Sequence, residues 1–205
     1  MSLPPLVDLP AILLPFVTRA EQSLRDAVEA LDDDHGLSTW TPERWAQFSR
    51  VTAASDFVTE QSVRDPLMLL ELVRSGELDR GYAPGELCAQ IAAAVNAAET
   101  DEQLGRALRR QRARHQVRIV WRDLTRQADL VQTCRDLSDM ADASIDQAYQ
   151  WLYARHCQQF GVPTGRRSGE PQQMVVLGMG KLGAVELNLS SDIDLIFAYP
   201  EGGET

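Results

Sequence analysis

The chain has 205 residues, 44% of them apolar, and a formal net charge of −10. Such a length suits one domain and part of another, and the acidic balance excludes a general nucleic-acid binder, which needs basic surface to displace counterions from phosphates. No apolar run approaches the ~20 residues that cross a bilayer, so no membrane association is expected. The start, Met1-Ser-Leu-Pro-Pro5, lacks the basic and apolar regions of a signal peptide. Cys88, Cys134 and Cys157 are odd in number and widely spaced, which suggests neither a disulfide framework nor a zinc site. A cytoplasmic location is expected.

Residues 1–160 read as helices. Pro4, Pro5, Pro10 and Pro15 make a broken start, and Val17, Ala20, Leu24, Val28 and Leu31 then keep one apolar face until Asp32-Asp33-Asp34-His35-Gly36 stops it. That acidic run reads as a helix end, not a metal site. Thr41-Pro42-Glu43 predicts a helix start, a capping hydroxyl followed by proline at the first helical position. Asp65-Pro66 repeats the device, with Gly76 placed to end that helix, and Pro84 opens another through Leu87, Ile91 and Val95. Thr100 and Gln103 fit a capping box.

The next helix carries Arg106, Arg109, Arg110, Arg112, Arg114, Arg118, Arg122 and Arg126, interleaved with Leu104, Leu108, Val117, Val120 and Trp121. Arg106, Arg109, Arg110 and Arg114 share a face at helical spacing. This face is expected to be solvated, the alternative being that it docks an acidic partner. A last helix is expected from about Ser138 to Phe160. The tryptophans read as core or seam residues, the cysteines as small core fillers, and His35, His115 and His156 as isolated structural or surface residues.

The texture changes at 161–171, where three glycines and two prolines without apolar periodicity predict a linker. Met174–Leu177 then reads as a strand, a glycine-rich turn follows, and Ile193–Tyr199 reads as a second strand. The division expected is a helical domain over 1–160, a linker over 161–171, and the opening of an α/β domain over 172–205.

Chemistry concentrates in the last segment. Gly178-Met-Gly180-Lys181-Leu-Gly183 spells G-x-G-x-x-G after a strand, the dinucleotide fingerprint. The Rossmann reading is nonetheless rejected, because Asp192 follows Gly183 too soon for a crossover helix and the acids stand at the near end of the strand. Asp192 and Asp194, two apart in extended chain, project from one face ~7 Å apart, with Ile193, Leu195 and Phe197 expected to point the other way into a core. Adjacent carboxylates resist ionisation together unless a cation lies between them, and hard oxygen ligands of this kind suit Mg²⁺. The alternative for a bare D-x-D is a solvated, inert strand entrance; the glycine turn just upstream favours the metal.

Strand, glycine-rich turn, short helix and D-x-D together resemble the DNA polymerase beta-type nucleotidyltransferase superfamily. The string Gly178-Met-Gly-Lys-Leu-Gly-Ala-Val-Glu-Leu-Asn-Leu-Ser-Ser-Asp-Ile-Asp194 with Leu-Ile-Phe-Ala-Tyr-Pro200 is similar to the signature of one branch, the glutamine synthetase adenylyltransferase/deadenylylase family. Arg118-Ile-Val-Trp-Arg-Asp-Leu124 resembles that family's helical region, and the likeness covers about 100–200 well and the first hundred residues loosely.

The resemblance implies a mainly α fold whose helical domain precedes the start of a polymerase beta-like domain. It implies an ATP-binding, multifunctional enzyme of nitrogen metabolism. The amino-terminal half of such an enzyme removes AMP from a tyrosine of glutamine synthetase by phosphorolysis, giving ADP; the other half adds AMP from ATP. A PII-type signalling protein is implied as a regulator. By the same resemblance Asp192 and Asp194 hold Mg²⁺ and carry catalysis, while Gly178, Gly180 and Gly183 let amides approach the phosphates. Ser190 and Ser191 orient phosphate or metal-bound water, and Lys181 either touches phosphate or is a surface lysine beside the turn. Glu186 and Asn188 belong to the string without a chemical role. The superfamily's third carboxylate comes from a later strand, so this chain is expected to be an incomplete site. The other readings are a different nucleotidyltransferase of the superfamily, such as a protein uridylyltransferase, and a helical docking module with a vestigial motif.

Overall fold

The computed structural model describes residues 9–31 and 35–205. Pro4, Pro5 and the acidic run Asp32–Asp34, read above as a broken start and a helix end, lie outside the described residues. The fold is mainly α, as expected: helices α1 (Leu14–Glu29), α2 (Pro42–Ala54), α3 (Asp56–Arg64), α4 (Pro66–Arg74), α5 (Glu86–Asn96), α6 (Asp101–Leu124) and α7 (Leu130–Phe160) precede the short strands β1 (Thr164–Gly165) and β2 (Val175–Gly178), the one-turn helix α8 (Gly180–Gly183), and β3 (Leu195–Ala198) and β4 (Gly203–Glu204).

Local chemistry explains most helix starts. Thr41 Oγ1 accepts the Arg44 amide at 3.3 Å, Ser55 Oγ the Val58 amide at 3.3 Å, and Asp65 Oδ1 the Met68 amide at 3.1 Å. Each such cap contributes about 1 kcal/mol by satisfying an amide that has no partner inside its helix. At α6 the box closes as expected on Thr100, whose Oγ1 accepts the Gln103 amide at 3.2 Å, but Gln103 reaches back to the amide of Glu99 at 2.6 Å. Asp129 Oδ1 takes the Gln132 amide at 2.7 Å, so α7 begins at Leu130, eight residues before the expected start at Ser138.

The chain forms two compact units, Met1–Tyr82 with Arg112–Thr133, and Ala83–Gln111 with Cys134–Thr205. The first is built on α1–α4 and the C-terminal part of α6. Leu24, Phe48, Val51, Val58, Leu69, Leu72, Leu78, Val117 and Trp121 are completely buried in one cluster, and Trp40, Trp45 and Phe48 pack ring to ring with centroids 4.9–5.9 Å apart. His115 to Arg122 are buried at every position, so this stretch of α6 is enclosed on all sides.

Helix α7, about 46 Å long at the usual helical rise, belongs to the second unit from Cys134 onward and serves as its spine. Trp151 Nε1 donates to the Ala98 carbonyl at 3.0 Å and Arg155 to the Glu99 carbonyl at 2.9 Å, binding the α5–α6 connection. Tyr153 OH donates to the Gln172 carbonyl at 3.0 Å and Tyr149 OH accepts the Met174 amide at 2.9 Å, fixing the chain as it enters β2. Residues 161–171 fold back on the chain's last residues: β1 pairs antiparallel with β4, and the amides of Arg167 and Ser168 each donate to the Glu201 carboxylate at 3.0 Å.

Candidate functional site

The string that carries the acids is a hairpin with a long, organised connection. β2 and β3 pair antiparallel, Val175 opposite Ala198 and Gly178 opposite Leu195. A Rossmann unit requires parallel strands joined by a crossover helix, so the pairing excludes that reading, as the spacing had. The ladder continues one step beyond the strands, because the Met179 amide donates to the Asp194 carbonyl at 2.9 Å. The glycine bend and the second acid are therefore direct neighbours.

Each glycine has a local reason. Gly180 adopts φ +55°, a left-handed conformation that costs other residues about 1–2 kcal/mol. A Cβ at Gly183 would run into the Gly178 carbonyl oxygen, and one at Gly178 would meet Leu182 Cγ at 3.0 Å. These contacts let the single turn of α8 lie directly on the end of β2 with Leu182 buried beneath it. The first amides of α8, from Gly180 to Leu182, have no acceptor within the helix.

From α8 the chain passes through Val185, a β-branched residue held at φ +59°, a conformation that persists where its surroundings impose it. The Glu186 amide bonds back to the Lys181 carbonyl at 2.8 Å, and the buried Leu187 donates its amide to Ser138 Oγ on α7 at 3.3 Å. A turn follows in which the Ser191 amide donates to the Asn188 carbonyl at 3.2 Å and the Ser191 hydroxyl donates to Asn188 Oδ1. Asn188 thus acquires the role that spacing alone did not supply: it shapes the turn that leads into Asp192.

Asp192 and Asp194 are both exposed, as are Lys181 and Ser190. They stand just before β3, not within it, Asp194 continuing the ladder and Asp192 two residues ahead of it. The expected core beneath them is absent from the described residues: Ile193 is 40% and Phe197 57% exposed, and only Leu195 is partly covered. Two strands alone have no layer to pack against. Among the described residues no group of three or more acidic, histidine or cysteine side chains is placed to hold a metal.

A family model described as glutamate-ammonia ligase adenylyltransferase matches residues 45–205. The chain belongs to this adenylyltransferase family. It is 70% identical over 207 residues to a bifunctional glutamine synthetase adenylyltransferase/adenylyl-removing enzyme of Pseudomonas syringae pv. tomato, covering all of this chain and 21% of that protein. Proteins of the same description from Pseudomonas putida, 63% identical over all of this chain, and Nitrosococcus oceani, 45% identical over 96% of it, are covered to 21% and 20% of their lengths. The chain thus spans about a fifth of these adenylyltransferase relatives. The likeness extends through the first hundred residues, well beyond the segment where the motif string lies.

In this chain the arginine-rich helix is two different things. Arg106, Arg109, Arg110 and Arg112 are exposed, Arg106 pairing with Glu102 at 2.9 Å. Further along, Arg114 departs from the expected solvated face, and Arg118 and Arg122, which lie outside that face, are buried. Arg114 holds Glu77 with two hydrogen bonds of 2.8 and 3.1 Å. Arg118, fully buried, donates to the carbonyls of Glu77 and Arg80 at 2.9 and 2.7 Å and stacks 3.5 Å from the Tyr82 ring centroid. Arg122 is buried and donates to the Gln127 carbonyl. Tertiary packing of α6 encloses Arg118 and Arg122, and backbone carbonyls replace part of the water they lose.

His115 is structural as expected, buried with Nδ1 2.8 Å from Tyr82 OH. The cysteines are not core fillers: Cys88 is exposed, and Cys134 and Cys157 are only partly covered. Among the described residues no helix is long and apolar enough to cross a membrane.

Proposed function

We propose that this chain carries part of the site at which the whole gene product removes AMP from a tyrosine of glutamine synthetase, by Mg²⁺-dependent phosphorolysis giving ADP. The observation that carries the reading is the Met179–Asp194 hydrogen bond, which seats the second acid against the glycine bend. Residues 172–205 are read as the opening of the nucleotidyltransferase domain, with the helical region before it and 161–171 between. Nucleotide binding, a cytoplasmic location and control by a PII-type signalling protein belong to the same proposal for the whole protein.

Two exposed carboxylates, one of them held in register by the strand ladder, fit Mg²⁺, which commonly takes one or two protein carboxylates and completes its shell with water and phosphate. Asp192 and Asp194 would hold it. When bound, the ion supplies neutralisation of charge on the AMP phosphoryl group. The Gly180–Leu182 amides would approach the phosphoryl oxygens, helped by Lys181, and Ser190 and Ser191 would orient phosphate, with no side chain at Gly178, Gly180 or Gly183 to obstruct them. In the transfer an oxygen of inorganic phosphate bonds to the AMP phosphorus and the bond from phosphorus to the tyrosine oxygen breaks. That oxygen takes up a proton, leaving ADP and unmodified tyrosine.

The test uses the whole gene product with adenylylated glutamine synthetase, phosphate and Mg²⁺. Asp192→Asn and Asp194→Asn should each abolish ADP release while leaving AMP addition from ATP within about twofold of the parent protein. Undiminished ADP release from both variants would refute the reading.

A further inference from the structure

We propose that Ser138, on helix α7, is a positioning residue for nucleotidyl transfer at the Asp192–Asp194 site. The inference rests on the reading of that pair given above. Ser138 lies 49 residues before its partner and outside the motif string, and its side chain is fully buried. Its hydroxyl donates to the Cys134 carbonyl at 2.8 Å, one turn back in the same helix. That bond uses the only hydroxyl proton and turns a lone pair outward, where it accepts the Leu187 amide at 3.3 Å.

Leu187 divides the connection between the bend and the acids. On one side lie the end of α8 and Val185, held at φ +59°; on the other lies the Asn188–Ser191 turn that leads into Asp192. The far end of the connection is secured by the Met179–Asp194 bond. Its middle is secured by burial of the Leu187 side chain and by the amide bond to Ser138. Without the hydroxyl, a buried amide loses its acceptor, and the loop relaxes at the point that sets where Asp192 stands. Small displacements of a positioned group lower the transfer rate more than the affinity for a large protein substrate held by its own interface.

The whole gene product is the test system, with Ser138→Ala and the near-isosteric Ser138→Cys, whose thiol is a poor acceptor. In AMP removal kcat should fall about tenfold in both, the value of one hydrogen bond. KM for adenylylated glutamine synthetase should stay within about twofold, the Mg²⁺ concentration for half-maximal rate should rise, and AMP addition should remain at the parent level. An unchanged kcat for AMP removal overturns the inference. So does parallel loss of both activities in both variants, which would mark Ser138 as a residue of general folding. Asp192→Asn and Asp194→Asn are run beside them. If these abolish AMP removal while the Ser138 variants leave it intact, only the positioning role fails; if they do not, the site reading fails and this inference falls with it.

Discussion

The amide of Met179 donates to the carbonyl of Asp194 at 2.9 Å, one step past the last residue pair of the β2–β3 ladder. A backbone bond at that place does two things. It ends β2 in extended geometry just before the left-handed Gly180, and it holds the backbone of an exposed acid that has no core beneath it among the described residues. The separation between the glycine bend and the acid is thus set by backbone hydrogen bonding, which side-chain substitution changes little.

Gly183 and Gly180 of the bend should respond differently to alanine. At Gly183 a methyl group meets the Gly178 carbonyl, a rigid neighbour, so Gly183→Ala should destabilise the second unit by about 1–3 kcal/mol and abolish AMP removal by the whole protein. At Gly180 nothing lies within 4 Å of the added carbon and only the positive φ opposes it, a cost of about 1–2 kcal/mol. Urea unfolding of this chain, with AMP-removal assays of the whole protein, checks the order; equal tolerance at both positions would show that α8 does not pack on the strand end.

Taken by itself, the 205-residue polypeptide should release no appreciable ADP from adenylylated glutamine synthetase with Mg²⁺ and phosphate. Its two acids assemble no third ligand among the described residues, and two strands alone form a marginal sheet. Measurable turnover by the purified polypeptide would contradict this.

Arg114 and Arg109 differ by little more than one helical turn, yet their removal should differ greatly. Arg114 and Glu77 retain only 13% and 8% side-chain exposure in their ion pair. Arg114→Ala leaves the Glu77 carboxylate with the Ser75 hydroxyl but without its guanidinium, and should cost about 3 kcal/mol or more. Arg109→Ala, on the exposed part of α6, should stay within about 0.5 kcal/mol. Thermal melts of the two variants provide the comparison.

The Glu201 carboxyl is held below its ordinary value, first by the Ser168 hydroxyl and then by the Arg167 amide, with burial opposing. Because the folded value is the lower one, the latch between 165–169 and Glu201 contributes its full stability above the unfolded value of 4.5 and loses it as pH falls through the folded value. Hydrogen exchange at the Arg167 and Ser168 amides should therefore stay slow at neutral pH and lose protection in acid. Glu201→Gln should remove the pH dependence; an unaltered acid transition in that variant would exclude Glu201 as its source.

The helix starts were legible because capping is local. Thr41, Asp65 and Thr100 each bond an amide three residues away, within reach of a reading of adjacent letters. Ser55 and Asp129 use the same chemistry but lack the following proline that marks the starts at Thr41 and Asp65. The candidate site was legible in its motif: the glycines, Asp192 and Asp194 stand in a specific string, and the short gap to the acids already spoke against a parallel crossover. Asn188 belonged to that string without a role until its turn with Ser191 was seen.

Sequence alone determined the helical class of the chain, its family likeness and the order of bend before acids, because these depend on residue type at short spacing. Tertiary structure decided which arginines are buried, that Ser138 meets Leu187 across 49 residues, and that Ile193 and Phe197 remain uncovered. Burial is settled by what packs on a residue from distant parts of the chain, and neither charge nor periodicity along a helix encodes the identity of that neighbour.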